Sequence, residues 1–279
     1  MKALRGFLNV ILTLILIILL FGLSMTFVLK KVVQEEIIID VAKEEITKNY
    51  LDSDKVELTE EQKNIIKDTL NKKETKEVLN IVIDNYLEYT LFEDYNLSKK
   101  DYDKLFGFIE NHVTDINKLS EEEIDINYIK EHFTYDEANK LVKEGFSYID
   151  SEGGIELSED NIKAINTYAY VVSDQVRYYI ISGIALVILL LMFVNWSISK
   201  WMLEVGIASI ISGTFMTGIY SLLELAKEAL ASESDIAEYI TRIDVTQAII
   251  IGVVEILLGI GLIIIKSNIE KSEIKESME

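Results

Sequence analysis

The sequence predicts an all-α integral membrane protein: four transmembrane helices plus an extracytoplasmic α-helical domain inserted between helices 1 and 2. Three observations carry this expectation. Four stretches approach the roughly 20 apolar residues needed to cross a bilayer. Hydrophobic residues make up 49% of the chain, yet its formal net charge is -20, a combination that fits if oil and charge occupy separate segments. The 279 residues include no proline, where ordinary usage would supply roughly fourteen, so nothing removes a backbone donor from a long helix.

Residues 1–29 comprise a short N-terminus and the first span, about Phe7–Leu29. Lys2 and Arg5 precede an apolar run longer than a signal-peptide core, and no Ala-x-Ala cleavage site follows it. An uncleaved signal anchor is expected. The second span occupies 178–194, the third 202–223 and the fourth 245–265, with a tight loop at 195–201 and a tail at 266–279. Lys2 and Arg5, Lys200, and Lys266, Lys271 and Lys275 all fall on one side if both termini are cytoplasmic, as positive-inside bias in short loops requires. Lys30 and Lys31 argue the other way, but the segment they begin is long enough to be translocated regardless. Tyr178, Tyr179, Trp196 and Trp201 lie where interfacial aromatics belong. The expected location is the plasma membrane, multi-pass. The lysine-rich, isoleucine-rich composition points to an AT-rich bacterial source.

Residues 30–177 hold 35 acidic and 19 basic residues, a net of -16. Helix-start signals recur there. Thr59-x-x-Gln62, Ser120-x-x-Glu123 and Thr134-x-x-Glu137 are capping boxes, and Ser98-x-x-Asp101 and Ser158-x-x-Asn161 are looser forms. They place helices near 32–50, 59–70, 74–92, 98–116, 120–132, 134–150 and 158–177, the last running unbroken into the second span. Ile162, Ile165, Ala169, Val172 and Val176 form an apolar seam on it, and Ile39, Ala42 and Ile46 form another after the first span. The simple reading buries both seams in the domain core; the functional one makes them stalks that couple the domain to the membrane. A second outside segment, 224–244, carries an apolar stripe of Ile236, Ile240 and Ile243.

Candidate chemistry is sparse. With no cysteine, disulfides, thiol catalysis and cysteine metal sites are excluded. The acidic run from Asp150 fails as a calcium loop, because the required glycine position holds Ile155 and the closing glutamate position holds Asn161. A Gly153-Gly154 turn explains it better. His112 and His132 show no ligand spacing, and no phosphate loop, nucleophile elbow or dinucleotide fingerprint is present. The net charge opposes nucleic-acid binding. No metal and no cofactor are expected.

One residue stands out. Glu255 lies at the centre of the fourth span, where a charged carboxylate costs about 2.5–3.5 kcal/mol on insertion scales. It is a proton or ion site, a contact to a partner helix, or a protonated group bonded to a hydroxyl of the third span such as Ser209, Ser212 or Thr214. Glu204, at the start of that span, can reach headgroup water. Ser209, Gly213 and Thr217 form a small-residue stripe that Gly252, Gly259 and Gly261 of the fourth span can face. The stripe packs the two spans together or mediates homo-oligomerisation. The expected function is a non-enzymatic multi-pass protein of the bacterial envelope. Its extracytoplasmic domain would bind a partner protein or ligand, and its surroundings are the lipid bilayer. The alternative is a transporter or channel component using Glu255.

Overall fold

The computed structural model describes residues 2–51, 58–92, 95–119, 125–151, 159–196, 199–230 and 244–276. It is 92% helical with no strands among the described residues, and four of its helices are long and apolar enough to cross a membrane. The chain divides into two compact units: Met1–Glu36 with Val172–Glu279, and Ile37–Val171.

The first unit is built from four long helices: α1 (Lys2–Val28), α9 (Asp174–Asn195), α10 (Lys200–Leu230) and α11 (Thr246–Glu276). Their directions follow from side-chain contacts. Asn9 meets Asn195, and a Cβ on Gly183 would lie 3.4 Å from Leu19, so α1 and α9 are antiparallel. Thr13 meets Glu204 and Met25 meets Tyr220, so α1 and α10 run the same way. Gly206 meets Gly259 and Gly213 meets Gly252, so α10 and α11 are antiparallel. The result is an up-down-up-down bundle. One end carries Asn9, Asn195 and Glu204, and the other carries Val28, Tyr220 and Val245.

Two apolar layers fill the bundle. Leu16, Val187, Leu191, Val205 and Ala208 form one; Val28, Met216, Tyr220, Val245 and Ala248 form the other. Its outer surface is also apolar. Phe7, Ile11, Leu14 and Ile18 are exposed along one face of α1, as are Leu186, Leu189 and Phe193 on α9 and Val254, Leu257 and Leu258 on α11. In water such a surface would be an aggregation liability; in hydrocarbon it is the solvated face. The second and third helices are separated by Trp196 in the left-handed conformation, φ 48°. Its backbone N–H donates to Met192 O to close α9.

The second unit contains α2 (Ile39–Ile46), α3 (Glu60–Leu70), α4 (Lys73–Leu91), α5 (Lys99–Leu119), α6 (Ile126–His132), α7 (Tyr135–Ser151) and most of α8 (Glu159–Val172). Wide π turns occupy Leu29–Ile38 and Thr47–Leu51 on either side of α2, where 32–50 was expected as ordinary helix. Capping chemistry sets several starts. Thr59 Oγ1 accepts from Gln62 N at 3.2 Å, and Gln62 Oε1 accepts in return from Thr59 N at 2.9 Å. Ser98 Oγ accepts from Asp101 N at 3.1 Å, and Thr134 Oγ1 from Glu137 N at 3.3 Å.

Two boundaries differ from expectation. The helix expected at 120–132 begins only at Ile126, because Asp125 turns extended and its carboxylate accepts from Asn127 N at 2.9 Å. The helix expected to run from 158 to 177 into the second span is broken at Ser173. That residue is extended, ψ 148°, and its Oγ accepts from Val176 N at 3.3 Å as the cap of α9. The capping box at Ser120, the loose cap at Ser158, the Gly153-Gly154 turn and the stripe Ile236, Ile240, Ile243 lie outside the described residues.

Helices α3, α4, α5 and α7 pack on one another around buried Ile81, Leu87, Tyr95, Leu97, Ala138 and Phe146. Aromatic edges dominate this core: Tyr86 and Phe146 rings sit 5.4 Å apart, and Tyr89 and Tyr95 6.0 Å apart. Three polar side chains of this core are hydrogen-bonded, whereas Asn80 Oδ1 of α4 is buried with no partner among the described residues. Tyr95 OH donates to Asn85 Oδ1 at 2.6 Å, Asn85 Nδ2 donates to Ile81 O at 2.6 Å, and Asn139 Oδ1 takes the N–H of Leu97 at 2.9 Å. Burial, with Glu88 and Asp101 nearby, pushes the Tyr95 hydroxyl well above the ordinary tyrosine range.

Candidate functional site

Polar groups inside an apolar bundle are expensive and so mark where function or specificity resides. The bundle has two such layers, separated by the cluster around Leu16 and Ala208. The first is at the Asn9 end. Asn9 Nδ2 donates to Asn195 Oδ1 at 2.9 Å, and Asn195 Nδ2 donates to Asn9 Oδ1 at 3.2 Å. Glu204 accepts from Thr13 Oγ1 at 3.2 Å and from Asn9 Nδ2 at 3.5 Å. Glu204 is therefore not merely a headgroup-facing residue: it ties α10 to α1, while the asparagine pair ties α1 to α9. The sequence signal for this was a single asparagine near the end of each of two apolar spans.

The second layer surrounds Glu255. Its Oε1 accepts a hydrogen bond from Ser24 Oγ of α1. Ser24 is 5% exposed. None of the expected hydroxyls, Ser209, Ser212 or Thr214, is bonded to Glu255; Thr214 Oγ1 instead donates to Ile210 O of its own helix at 2.7 Å. Ser24 is the one serine of the first span, but only the α1–α11 crossing reveals its role. Glu255 Oε2, Ser212 Oγ and Thr217 Oγ1 are buried with no hydrogen-bond partner among the described residues.

Helices α10 and α11 are held at backbone contact around this layer. A Cβ on Gly252 would lie 2.7 Å from Gly213 O and 2.5 Å from Thr217 Oγ1; one on Gly213 would strike Gly252 O and lie 3.0 Å from the Glu255 Cβ. A turn pair further along, a Cβ on Gly259 would lie 2.5 Å from Gly206 O, and one on Gly206 would lie 2.8 Å from Gly259 O. Each glycine is irreplaceable here because the atom opposite is backbone and cannot rotate away. Gly213, Thr217, Gly252 and Gly259 thus lie in one seam, and Ser209 is buried beside it at 8% exposure. Gly206 was missed because it sits seven residues from Gly213, outside a four-residue stripe, whereas Gly261 meets nothing within 4 Å.

The histidines are locally occupied. His112 Nδ1 lies 2.9 Å from Phe108 O with its ring stacked on Phe108, and His132 repeats the pattern with Tyr128. Among the described residues no group of three or more His, Asp or Glu side chains is placed to hold a metal. No family model, no curated protein and no solved structure matches the chain.

Proposed function

We propose that this chain is a non-enzymatic, multi-pass protein of the bacterial plasma membrane, anchored by its four-helix bundle and binding a partner protein or ligand through its acidic helical domain. The carrying observation is the inverted polarity of the bundle. Its exposed faces are Phe, Leu, Ile and Val, while its buried layers hold Asn9, Ser24, Glu204 and Glu255. That arrangement is stable in lipid and unstable in water.

Orientation has its own support. The basic residues Lys2, Arg5, Lys200, Lys266 and Lys271 belong to the bundle end marked by Asn9 and Asn195, which positive-inside bias assigns to the cytoplasm. Residues 30–177 then lie extracytoplasmically, and their net charge of -16 favours a partner with a basic surface. Photo-crosslinking from exposed Lys104 in intact cells should capture a reproducible partner. Reversal of exposed Asp103, Glu137 and Glu144 to lysine should abolish the capture. Capture unchanged by charge reversal, or no capture, defeats the reading.

Transport through Glu255 is the second reading, favoured by the mid-bundle carboxylate itself. The seam beside it is closed by backbone contact at Gly213–Gly252, and apolar layers lie on both sides. Flux in proteoliposomes that falls in Glu255→Gln would favour transport over anchoring.

A further inference from the structure

The two ends of the bundle hold their cations differently. At the Val28 end they are neutralised: Arg177 Nη1 lies 3.0 Å from Asp174 Oδ1, and Lys227 Nζ 2.6 Å from Glu224 Oε2. At the Asn9 end Lys266 is paired with Glu270 at 2.8 Å. Arg5 and Lys200, however, are exposed, and neither has an ion pair or hydrogen bond among the described residues. Lys200 stands four residues before Glu204 on α10, a spacing at which helical ion pairs form. Glu204 is turned to α1 instead, where its two oxygens accept from Thr13 and Asn9.

The same contacts put the two free cations at one level. Asn9 Nδ2 reaches Glu204 Oε1 at 3.5 Å, and α1 and α10 run the same way. Arg5 precedes Asn9 by four residues and Lys200 precedes Glu204 by four, so each lies one turn, about 6 Å, outside that contact. Asn195, bonded to Asn9, is followed by Trp196. Trp196 is 75% exposed and has the left-handed backbone, φ 48°, where glycine or asparagine would fit with less strain. Its ring centroid lies 5.7 Å from that of Phe193, which is 71% exposed. A strained turn therefore holds out an indole, continuous with the apolar flank of α9, at the end of the bundle where two cations lack counter-charge.

We propose that Arg5, Lys200 and Trp196 form a binding surface for the headgroup of an anionic phospholipid. The guanidinium fork donates to phosphate oxygens and the ammonium adds a point charge. The indole lies at the boundary between headgroup and chains, where tryptophan is favoured, and Phe193 faces the chains. A zwitterionic headgroup brings a cation of its own and leaves Arg5 and Lys200 uncompensated. The inference rests on the lipid setting of the anchoring reading.

Tryptophan quenching in nanodiscs tests it. The full chain has two tryptophans, so Trp201→Phe leaves Trp196 as the fluorophore. Nanodiscs of phosphatidylcholine carry the same fraction of phosphatidylglycerol or phosphatidylcholine brominated high on its chains. The brominated phosphatidylglycerol should quench Trp196 more steeply. That excess should fall by up to about fivefold for each of Arg5→Gln and Lys200→Gln, and inorganic phosphate at constant ionic strength should not relieve it. Equal quenching by the two lipids, or an excess unchanged when both substitutions are combined, overturns the proposal and leaves the bundle in lipid. An excess abolished by inorganic phosphate also overturns it, because the ligand is then a free anion. No quenching by either lipid overturns it too, and counts against the lipid setting itself.

Discussion

The bundle and the helical domain are made of the same element and solve opposite problems. In the domain, aromatic side chains gather inwards around Tyr95 and Phe146 and charge lies outside, the pattern of helices that face water. In the bundle the outside is apolar, and in the proposed lipid setting burying leucine against leucine gains little. Association there rests on backbone proximity at Gly206–Gly259 and Gly213–Gly252 and on hydrogen bonds such as Asn9–Asn195. Glycine itself shows the contrast. Gly107 in α5 and Gly145 in α7 would meet nothing within 4 Å if given a Cβ, whereas Gly252 would strike a backbone carbonyl.

The sharpest way to break this comparison is Gly252→Val. It should separate α10 from α11 at a cost of about 1–3 kcal/mol or more, by the ordinary penalty for overpacking. Disulfide trapping between cysteines introduced on the two helices, in a chain that has none of its own, would read the separation. Undiminished trapping would mean the seam is not tight.

In the domain the corresponding test removes a hydrogen bond rather than adding bulk. Tyr95→Phe leaves Asn85 Oδ1 without its donor, a loss of about 1–3 kcal/mol, measurable as faster hydrogen exchange in α4. It should also change the alkaline limb. Burial and neighbouring carboxylates raise the folded-state pKa of Tyr95 above the ordinary value near 10. The folded state therefore retains a proton that the unfolded state releases. Stability is complete below about pH 10 and falls as pH rises beyond it, by up to about 1.4 kcal/mol per pH unit for this one group. The phenylalanine variant should lose that share of the slope.

The smallest effect has the opposite sign. Gly145→Ala, in open space on a helix, should stabilise the domain by about 0.5–1 kcal/mol, while alanine at Gly252 should destabilise the bundle. Thermal unfolding of the two variants, followed by probes in each unit, compares them directly. Two shifts of the same sign would contradict the contrast.

What was legible in the sequence follows the same division. The spans could be read because hydropathy is a property of consecutive residues. Thr59 with Gln62, and Thr134 with Glu137, could be read because a cap is local chemistry. The break at Ser173 was equally local, a serine followed by Asp174, but it was masked by the apolar seam running across it. The partners of Glu255 and Glu204 were not legible. Ser24 and Thr13 lie 231 and 191 residues away, and only the packing of α1 against α10 and α11 brings them within reach. Gly206 was hidden for a related reason: a seven-residue repeat becomes visible only when Gly252 and Gly259, also seven apart, are seen opposite it.

The central claim is that lipid encloses four helices with the acidic segment exported between the first two. Single cysteines at exposed Lys104 and Lys271, probed in intact cells with a membrane-impermeant maleimide, test it most directly. Lys104→Cys should label at once, and Lys271→Cys only after the membrane is permeabilised. Labelling of Lys271→Cys with Lys104→Cys protected, or equal labelling of both in intact cells, would contradict it.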